Sequence, residues 1–292
     1  MPGISYVNGS YLPHSKAAVH IDDRGFLFAD GVYEVIGLIN GRFADERGHL
    51  DRLERSMAEL ELHPPRSRKA LRFIMREVVR RNRLRNAAVY IQVTRGAAKR
   101  DFKFPAHGTP SSLVVMCWPF RFNNNVNVEQ GVKACSVPDQ RWARRDIKSV
   151  ALLPQVLARQ KASELGCHEA IMVDENGFVT EGAASNFWIY KDGKLKTRQV
   201  DHNILKGVTR TAICAIAAEN GIEIVEKPFD LDEAKDADEA FCSSATALIV
   251  PIVKIDGAAI GNAKPGAVTK DIYARYRAYA RGEYKDQIDW TY

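Results

Sequence analysis

The stretch Arg145-Asp146-Ile147-Lys148-Ser149-Val150-Ala151-Leu152-Leu153-Pro154 is charged at its start and apolar after Lys148. Pro154 suits the first turn of a helix, where its missing N–H removes no helical hydrogen bond, and Gly166 suits a helix end. The pattern predicts a helix through Leu165, with Lys148 just before its start. A lysine at an apolar edge loses hydration, which lowers its pKa and prepares the amine to form Schiff bases. A plain surface lysine is the alternative, so partners elsewhere in the chain must decide.

Length and composition set the class of protein. The 292 residues fit two domains or one large one, and 46% hydrophobic residues support a substantial core. No apolar run reaches the ~18 residues of a membrane span, and the N-terminal residues lack a secretory pattern. The five cysteines form no CxxC pair and the seven histidines lack metal-ligand spacing. We expect reduced thiols, a cytoplasmic protein, no membrane association and no metal site.

The net charge of +6 favours anionic partners. Arginines cluster at Arg80, Arg81, Arg83 and Arg85, and again at Arg141, Arg144 and Arg145. Acidic residues are interleaved and no aromatic-rich basic module is present, so a nucleic-acid-binding role is disfavoured. Attraction of small anionic substrates is the better explanation of the surplus charge.

The first 118 residues predict a small domain of hairpins and helices. Asn8-Gly9 and Asn40-Gly41 each lie between alternating residues and indicate tight hairpin turns. Helical spacing predicts helices over residues 47–62 and 67–82, and Arg52 lies beside the apolar stripe of the first. Such an arginine is usually solvated, unless a buried anion draws it inward.

A break in composition separates two predicted domains. Residues 119–127 include three successive asparagines and few strong helix or strand formers, so we place the linker there. The N-terminal domain would cover residues 1–118 and the C-terminal domain residues 128–292.

Three features of the C-terminal section have the chemistry of a cofactor site. Glu181 ends a predicted hairpin strand among small residues, which let a flat group approach closely. Gly207 precedes a helix that ends near Asn220, and the free N–H groups of its first turn suit an anion. Residues 243–246 form a cluster of hydroxyl groups and backbone donors.

These features meet the needs of pyridoxal phosphate. That cofactor requires a lysine for its aldehyde, an anion site for its phosphate, and an acid at its ring nitrogen that keeps the ring protonated as an electron sink. Lys148, Glu181, the helix start at Gly207-Val208-Thr209, Ser244 and Arg52 can supply all of these.

Seven motifs then carry a family resemblance, in one order, between about residues 5 and 257. They are Asp30-Gly31-Val32-Tyr33-Glu34-Val35, His49-Leu50-Asp51-Arg52-Leu53, Val93-Thr94-Arg95-Gly96, Asp146-Ile147-Lys148-Ser149, Glu169-Ala170-Ile171, Thr180-Glu181-Gly182 with Ser185-Asn186, and Ile204-Leu205-Lys206-Gly207-Val208-Thr209-Arg210. Through them the chain resembles the class IV (fold-type IV) pyridoxal-phosphate aminotransferases, and most closely the D-amino acid aminotransferases.

The resemblance implies a role for each matching cofactor residue. Lys148 corresponds to the Schiff-base lysine and Glu181 to the acid at the pyridine nitrogen. The implied phosphate and ring-edge residues are Arg52, the backbone N–H groups of Val208 and Thr209, Ser244, and Ala245. Ala245 stands where close relatives often carry threonine, so one hydroxyl contact is expected to be missing.

The resemblance also implies how the substrate carboxylate is bound. Tyr33 matches a tyrosine of the D-amino acid enzymes, and Arg100 matches an arginine on a long loop contributed by the partner subunit. Phe102 occupies the position of a histidine on that loop. The site for the substrate carboxylate therefore has one fewer polar partner, and Lys99 or Lys103 are candidates to replace the missing contact.

The implied fold is mixed α/β, or α+β, with a smaller N-terminal α/β domain and a larger pseudo-barrel domain, assembled as a homodimer with the active site at the domain interface. The implied activity is ping-pong transamination between a D-amino acid such as D-alanine and a 2-oxo acid such as 2-oxoglutarate. Three alternatives stay open. They are a branched-chain L-amino acid aminotransferase or an aminodeoxychorismate lyase on the same fold, and a basic binding protein without catalysis.

Overall fold

The computed structural model of the chain describes residues 3–106, 108–122 and 125–283. It divides the chain into two compact units. The first comprises residues 1–121 and 147–151, and the second comprises residues 122–146 and 152–292. The segment around Lys148 therefore clusters with the N-terminal unit. Of the predicted linker, Asn123 and Asn124 lie outside the described residues, and Asn125–Gln130 form a short helix, α4.

The first unit is built on one antiparallel sheet of six strands. The strands are β1 (Ile4–Val7), β2 (Ser10–Pro13), β3 (Gly31–Ile39), β4 (Arg42–Phe43), β5 (Ala87–Thr94) and β6 (Ser112–Pro119). They lie in the order β2-β1-β6-β5-β3-β4.

Two Asn-Gly turns set the register of the hairpins, as the sequence predicts. Asn8 and Gly9 have φ values of 47° and 108°, and Val7 pairs with Ser10 across the turn. Asn40 and Gly41 have φ values of 53° and 85° between β3 and β4. Positive φ at both central residues matches the right-handed twist of the paired strands.

Three α-helices complete the described part of this unit: α1 (Arg24–Phe28), α2 (Glu46–Glu59) and α3 (Arg68–Asn82). A single 3-10 turn covers His14–Lys16. Ser67 caps α3 by accepting a hydrogen bond from Ala70 N at 3.3 Å, which satisfies one of the free N–H groups at the helix start. Apolar faces of α2 and α3 meet the sheet in one core that includes Val32, Leu50 and Met75.

The second unit is built on a mixed sheet of nine strands. The strands are β7 (Val132–Pro138), β8 (Glu169–Val173), β9 (Val179–Gly182), β10 (Asn186–Lys191), β11 (Lys194–Thr197), β12 (Glu223–Glu226), β13 (Glu239–Ser244), β14 (Leu248–Ile255) and β15 (Ala258–Ala259). The path is β12-β11-β10-β13-β14-β7-β8-β9, with β15 paired to β14.

This sheet curls until its two ends approach each other. Val179 of β9 donates to Phe229 O at 2.8 Å, and Phe178 forms a bridge with Asp230, shortly after β12 at the opposite end of the path. The buried residues of one inner face include Phe187, Phe229 and Ile252. A curled sheet around its own core is the geometry of a pseudo-barrel.

Besides α4, three longer helices and one short one cover the described part of this unit. They are α5 (Leu153–Glu164), α6 (Val208–Glu219), α7 (Leu231–Lys235) and α8 (Ala267–Arg281). The helix predicted at Pro154 is confirmed, with Pro154 in its first turn. Strands β7 and β12 and helix α7 are among the elements that the sequence analysis does not predict. Across the described residues, no helix combines the length and the apolar character needed to cross a membrane.

Candidate active site

The backbone at Lys148 is fixed by the first unit. Tyr33 N donates to Lys148 O at 3.0 Å, and Val150 N donates to Gly31 O at 3.0 Å, so the segment pairs with the start of β3. Lys148 N also donates to Ser56 Oγ of α2 at 3.4 Å. The neighbours on both sides, Ile147 and Ser149, are buried. Lys148 is therefore held like a residue of an added strand.

The amine of Lys148 lies against an aromatic surface. Its Nζ is 4.3 Å from the centroid of the Tyr33 ring. The Tyr33 ring stacks in turn on Tyr90 at 5.6 Å. Tyr90 donates to Gln92 Oε1 at 2.6 Å, and burial together with the neighbouring Tyr33 raises the pKa of Tyr90. The structure thus brings two predicted residues, Lys148 and Tyr33, into direct contact.

Arg52 is oriented by a buried carboxylate that the sequence analysis did not single out. Glu34 is fully buried on β3, and it accepts from Arg52 Nε at 2.6 Å and Nη2 at 2.8 Å. His49 Nδ1 lies 2.8 Å from the same carboxylate. Burial alone would raise the pKa of Glu34, but Arg52 and His49 outweigh it and lower the pKa to about 2. Glu34 is therefore a permanent anion that holds the Arg52 guanidinium in place.

A second ion-pair cluster anchors the loop that follows β5. Asp30 accepts from Arg95 Nε at 2.7 Å and from Arg24 Nε at 2.8 Å. Arg24 Nη1 also donates to Asp101 O at 2.6 Å, and Ala98 N donates to Asp22 O at 3.2 Å. These contacts tie both halves of the loop to the segment around α1.

The two loop residues predicted to bind substrate lie at the tip of this anchored loop. The guanidinium carbon of Arg100 is 5.3 Å from the Phe28 ring and 5.7 Å from the Phe102 ring. Phe28 and Phe102 contact each other at 5.4 Å between centroids. Phe102 is 81% exposed. Within its own unit, Arg100 therefore lies among aromatic rings.

In the second unit, Glu181 is the central residue. It lies on β9 and is only 4% exposed, in contrast to the solvent exposure usual for a lone hairpin glutamate. Its carboxylate accepts from Arg141 Nη1, from Asn186 Nδ2 at 3.0 Å and from Leu205 N at 3.2 Å. Burial raises the pKa of Glu181, although Arg141 and the Leu205 N–H oppose the rise.

Arg141 is itself held by a second acid. Its Nε and Nη2 donate to Asp139 at 2.9 Å and 2.7 Å. Asp139 also accepts from Thr180 Oγ1 at 2.8 Å and lies 3.2 Å from Arg145 Nε. Two arginines and two carboxylates thus form a buried, charge-balanced cluster next to β9.

The start of α6 has the uncapped backbone that an anion site needs. Gly207 is the N-cap residue, and no side chain caps the helix. The first N–H groups of a helix have no partner within it, so those of Val208 and Thr209 can bind phosphate. The Thr209 hydroxyl lies 3.3 Å from Tyr276 Oη, which leaves its backbone N–H as the available group.

A glycine is required at position 207 for space. A Cβ there would lie 2.0 Å from Asn186 Oδ1. Asn186 Nδ2 also donates to Leu205 O at 2.9 Å, besides its bond to Glu181. One asparagine therefore links the Glu181 carboxylate to the turn that leads into α6.

Ser244 and Ala245 lie where β13 turns toward β14. Ser244 Oγ accepts from Ala247 N at 3.1 Å, which stabilises the turn. Strand β13 pairs with β10, and Asn186 faces Ser243 across that pair. The end of β13 is therefore next to the strand that carries Asn186.

The residues present fit pyridoxal phosphate. In the first unit, Lys148 supplies an amine on a fixed backbone and Arg52 a fixed cation. In the second unit, Glu181 has a buried carboxyl group that would suit the ring nitrogen, and the uncapped start of α6 has N–H groups that would suit the phosphate. The structure divides the predicted set into these two groups: Lys148, Tyr33, Arg52, Arg100 and Phe102 in one unit, and Glu181, Val208, Thr209, Ser244 and Ala245 in the other.

The sequence analysis quotes Glu34 and Asn186 only as motif residues and does not single out Asp139, so it assigns none of the three its orienting role. It also treated Arg141 only as one of a basic cluster, yet this side chain is 6% exposed and fully engaged. The spacing Asp139-Gln140-Arg141 could have signalled a local ion pair, but only the structure joins it to Glu181.

Comparison with known proteins gives the family. The family model of amino-transferase class IV matches residues 31–255. The D-alanine aminotransferase of Bacillus licheniformis is 40% identical over 266 residues, covering 91% of this chain and 93% of that protein.

Solved structures agree on the fold. The branched-chain amino acid aminotransferase of Escherichia coli superposes with a TM-score of 0.93 at 28% identity, covering 99% of this chain and 98% of that one. The branched-chain aminotransferase of Thermobaculum terrenum in its PLP form gives a TM-score of 0.83 at 25% identity, covering 97% and 95%. The predicted fold class and family are confirmed. The chain belongs to the class IV aminotransferases, a family of enzymes that depend on pyridoxal phosphate.

Proposed function

We propose that the protein is a D-amino acid transaminase that moves an amino group between a D-amino acid such as D-alanine and a 2-oxo acid such as 2-oxoglutarate, by a ping-pong mechanism. The observation that carries the proposal is the similarity to a D-alanine aminotransferase at 40% identity over 91% of the chain. The motif of Tyr33 and Arg100 points to the same substrate class.

Each residue has a defined task in this proposal. Pyridoxal phosphate, when bound, supplies the aldehyde that accepts the amino group and the ring that takes up electrons. Lys148 holds the cofactor covalently through Nζ at rest, and its free amine takes the proton from the substrate Cα. Glu181 keeps a proton on the ring nitrogen. Arg52, the N–H groups of Val208 and Thr209, and Ser244 with Ala245 bind the phosphate end.

Substrate orientation falls to Tyr33 and Arg100. A carboxylate held by a hydroxyl and a guanidinium presents one face of Cα to Lys148, and this is how the D-enantiomer would be selected. Arg100 would act in the site of a second copy of the chain, with Phe102 beside it, so we propose a homodimer. The exposed Phe26, Phe102 and Phe104 in the first unit support an apolar contact there.

We also propose a cytoplasmic location. The five cysteines are all free, which is usual for proteins in a reducing compartment.

A branched-chain L-amino acid aminotransferase is the second candidate. It is favoured by the TM-score of 0.93 with the Escherichia coli enzyme of that activity. The two candidates use the same cofactor and differ in the enantiomer that presents its Cα–H to Lys148.

The deciding experiment is the half-reaction of the holoenzyme with single amino acids, followed through the visible spectrum of the cofactor. We expect D-alanine to convert the spectrum and L-leucine to leave it unchanged, and 2-oxoglutarate to restore it. Lys148→Ala is the control and should abolish turnover. Conversion by L-leucine alone would replace the proposal by the second candidate, and near-normal turnover in Lys148→Ala would remove the role of Lys148.

A further inference from the structure

Arg141 lies between two buried carboxylates in the second unit. Its Nη1 donates to Glu181, while Nε and Nη2 donate to Asp139 at 2.9 Å and 2.7 Å. The side chains of Arg141, Glu181 and Asp139 are 6%, 5% and 0% exposed. A guanidinium bound on two edges inside the protein cannot swing to solvent, so its charge stays beside Glu181.

The charges that face Glu181 are few. Arg141 and Asp139 come from the loop after β7, and Arg145 of that loop contacts Asp139 at 3.2 Å. Strand β10 contributes the neutral amide of Asn186, and the turn before α6 contributes the Leu205 N–H. Arg141 is thus the cation in direct contact with this carboxylate within the described part of the unit.

We propose that Arg141, anchored by Asp139, is a positioning residue that keeps the Glu181 carboxylate ionised and correctly aimed before the cofactor's ring nitrogen binds. The inference deepens the proposed function, because it rests on Glu181 as the partner of that nitrogen. Arg141 would act through Glu181 rather than on the reacting atoms.

The physical reason lies in opposing effects on one carboxyl group. Burial raises the pKa of Glu181 and Asp139 adds to the rise, whereas the charge and the hydrogen bond of Arg141 oppose it. Without Arg141 the opposing contribution is mostly lost, so the carboxyl would hold its proton to a higher pH. Consider a pH between the pKa of Glu181 in the wild type and its higher pKa in a variant without Arg141. There, cofactor binding to the variant would take up as much as one proton fewer than binding to the wild type.

The test is the pH dependence of cofactor binding to the apo-protein. Cofactor-free wild type and Arg141→Gln are titrated with pyridoxal phosphate from about pH 5 to about pH 8, and the Kd is read from the visible absorbance. We expect the ratio of the variant Kd to the wild-type Kd to rise as pH falls, by up to about tenfold per pH unit. The reason is that a proton competes with the ring nitrogen for the carboxylate in the variant.

Two further variants make the result specific. Arg141→Lys keeps the positive charge but cannot bind both carboxylates in the way that Arg141 does, so the ratio of its Kd to the wild-type Kd should rise less steeply as pH falls. If Arg141→Gln does not fold, Arg141→Lys is used for the test in its place. Arg198→Gln breaks another buried ion pair of the same unit, to Asp174 at 2.9 Å, and should lower Tm while its Kd ratio stays independent of pH.

The outcomes separate this inference from the proposed function. A Kd ratio of Arg141→Gln that does not change with pH, with a lower Tm only, would overturn the inference and leave Arg141 a structural residue. Persistence of the pH-dependent ratio in Glu181→Gln/Arg141→Gln would also overturn it, because another group would then be titrating. Cofactor binding by Glu181→Gln with wild-type affinity would instead remove the role of Glu181 in the proposed function.

Discussion

Glu34 in the first unit and Glu181 in the second are both buried against an arginine, yet the pKa values of the two carboxyl groups are shifted in opposite directions. Glu34 in the first unit has its pKa lowered to about 2, whereas the pKa of Glu181 in the second unit is raised. Both side chains are almost completely excluded from solvent. Burial therefore cannot explain the difference, and the partners must.

Two basic side chains contact the Glu34 carboxylate directly. Arg52 donates to it with two nitrogens and His49 contacts it as well. Arg141, in contrast, gives one nitrogen to Glu181 and two to Asp139, so its charge is shared between two acids. A carboxylate that binds two nitrogens of one cation and also contacts a histidine is a fixed anion that orients its neighbours. A carboxylate with a shared cation still gains from a further positive partner, which a protonated ring nitrogen would supply.

The largest effect is expected from Glu34→Gln. Loss of this charge breaks the buried ion pair with Arg52, and disruption of a buried pair in this way costs about 3–5 kcal/mol. Urea unfolding at neutral pH measures the loss. The cofactor affinity should fall as well, because Arg52 is no longer aimed.

Asp51→Asn is the matched control. Asp51 lies on α2, the helix that also carries Arg52, and it pairs with Arg68 at 2.5 Å at the protein surface. Removal of that pair should cost no more than about 1 kcal/mol. Equal losses of unfolding free energy for the two variants would contradict the view that the buried pair of Glu34 and Arg52 stabilises the fold more than a surface pair does.

The next effect is expected from Gly207→Ala. The new Cβ would lie 2.0 Å from Asn186 Oδ1, so Asn186 must move and loosen its hold on Glu181. Overpacking of this kind costs about 1–3 kcal/mol, and a loss of the same size in binding energy would weaken cofactor affinity about fivefold or more. Thermal unfolding of the apo-protein and a cofactor titration measure the two effects.

The clash itself can be tested by removing its other half. Gly207→Ala combined with Asn186→Ala should cost less than the sum of the two single variants, because the double variant has no clash. Additive losses would show that position 207 needs a glycine for some reason other than space.

The residues that do chemistry were accessible from the sequence, while those that orient them were not. Lys148, Glu181 and the start of α6 lie in local patterns: a lysine before a helix, an acid among small residues, a glycine before a helical run. The family motifs then join these patterns. Local pattern and motif order therefore suffice to propose a set of site residues.

The orienting residues belong to contacts between distant parts of the chain. Glu34 reads as one charged residue in an alternating strand, and only the packing of α2 on β3 makes it the partner of Arg52. Arg141 and Glu181 are 40 residues apart, and the pairing of β7 with β8 and of β8 with β9 brings them together. Periodicity reports which face of an element is buried, but not which charged group it will meet there.

The smallest effect, and the sharpest test of the comparison, is in the sign of a pH dependence. The folded-state pKa of Glu34 lies below its ordinary value of 4.5, so its contribution to stability is present above that value and is lost as pH falls toward about 2. The folded-state pKa of Glu181 lies above 4.5, so its contribution is present below that value and is lost as pH rises through the raised pKa.

In the apo-protein, the free energy of unfolding of the wild type minus that of Glu181→Gln should therefore decrease with rising pH above about 4.5. The same difference for Glu34→Gln should increase with pH below that value. Urea unfolding at a series of pH values measures both, and each variant serves as the control for the other because each removes one buried carboxylate. If both free-energy differences increased with pH, Arg141 would offset the burial of the Glu181 carboxylate as completely as Arg52 offsets that of Glu34. The second unit would then hold a finished ion pair, with no electrostatic need for a ring nitrogen beside it.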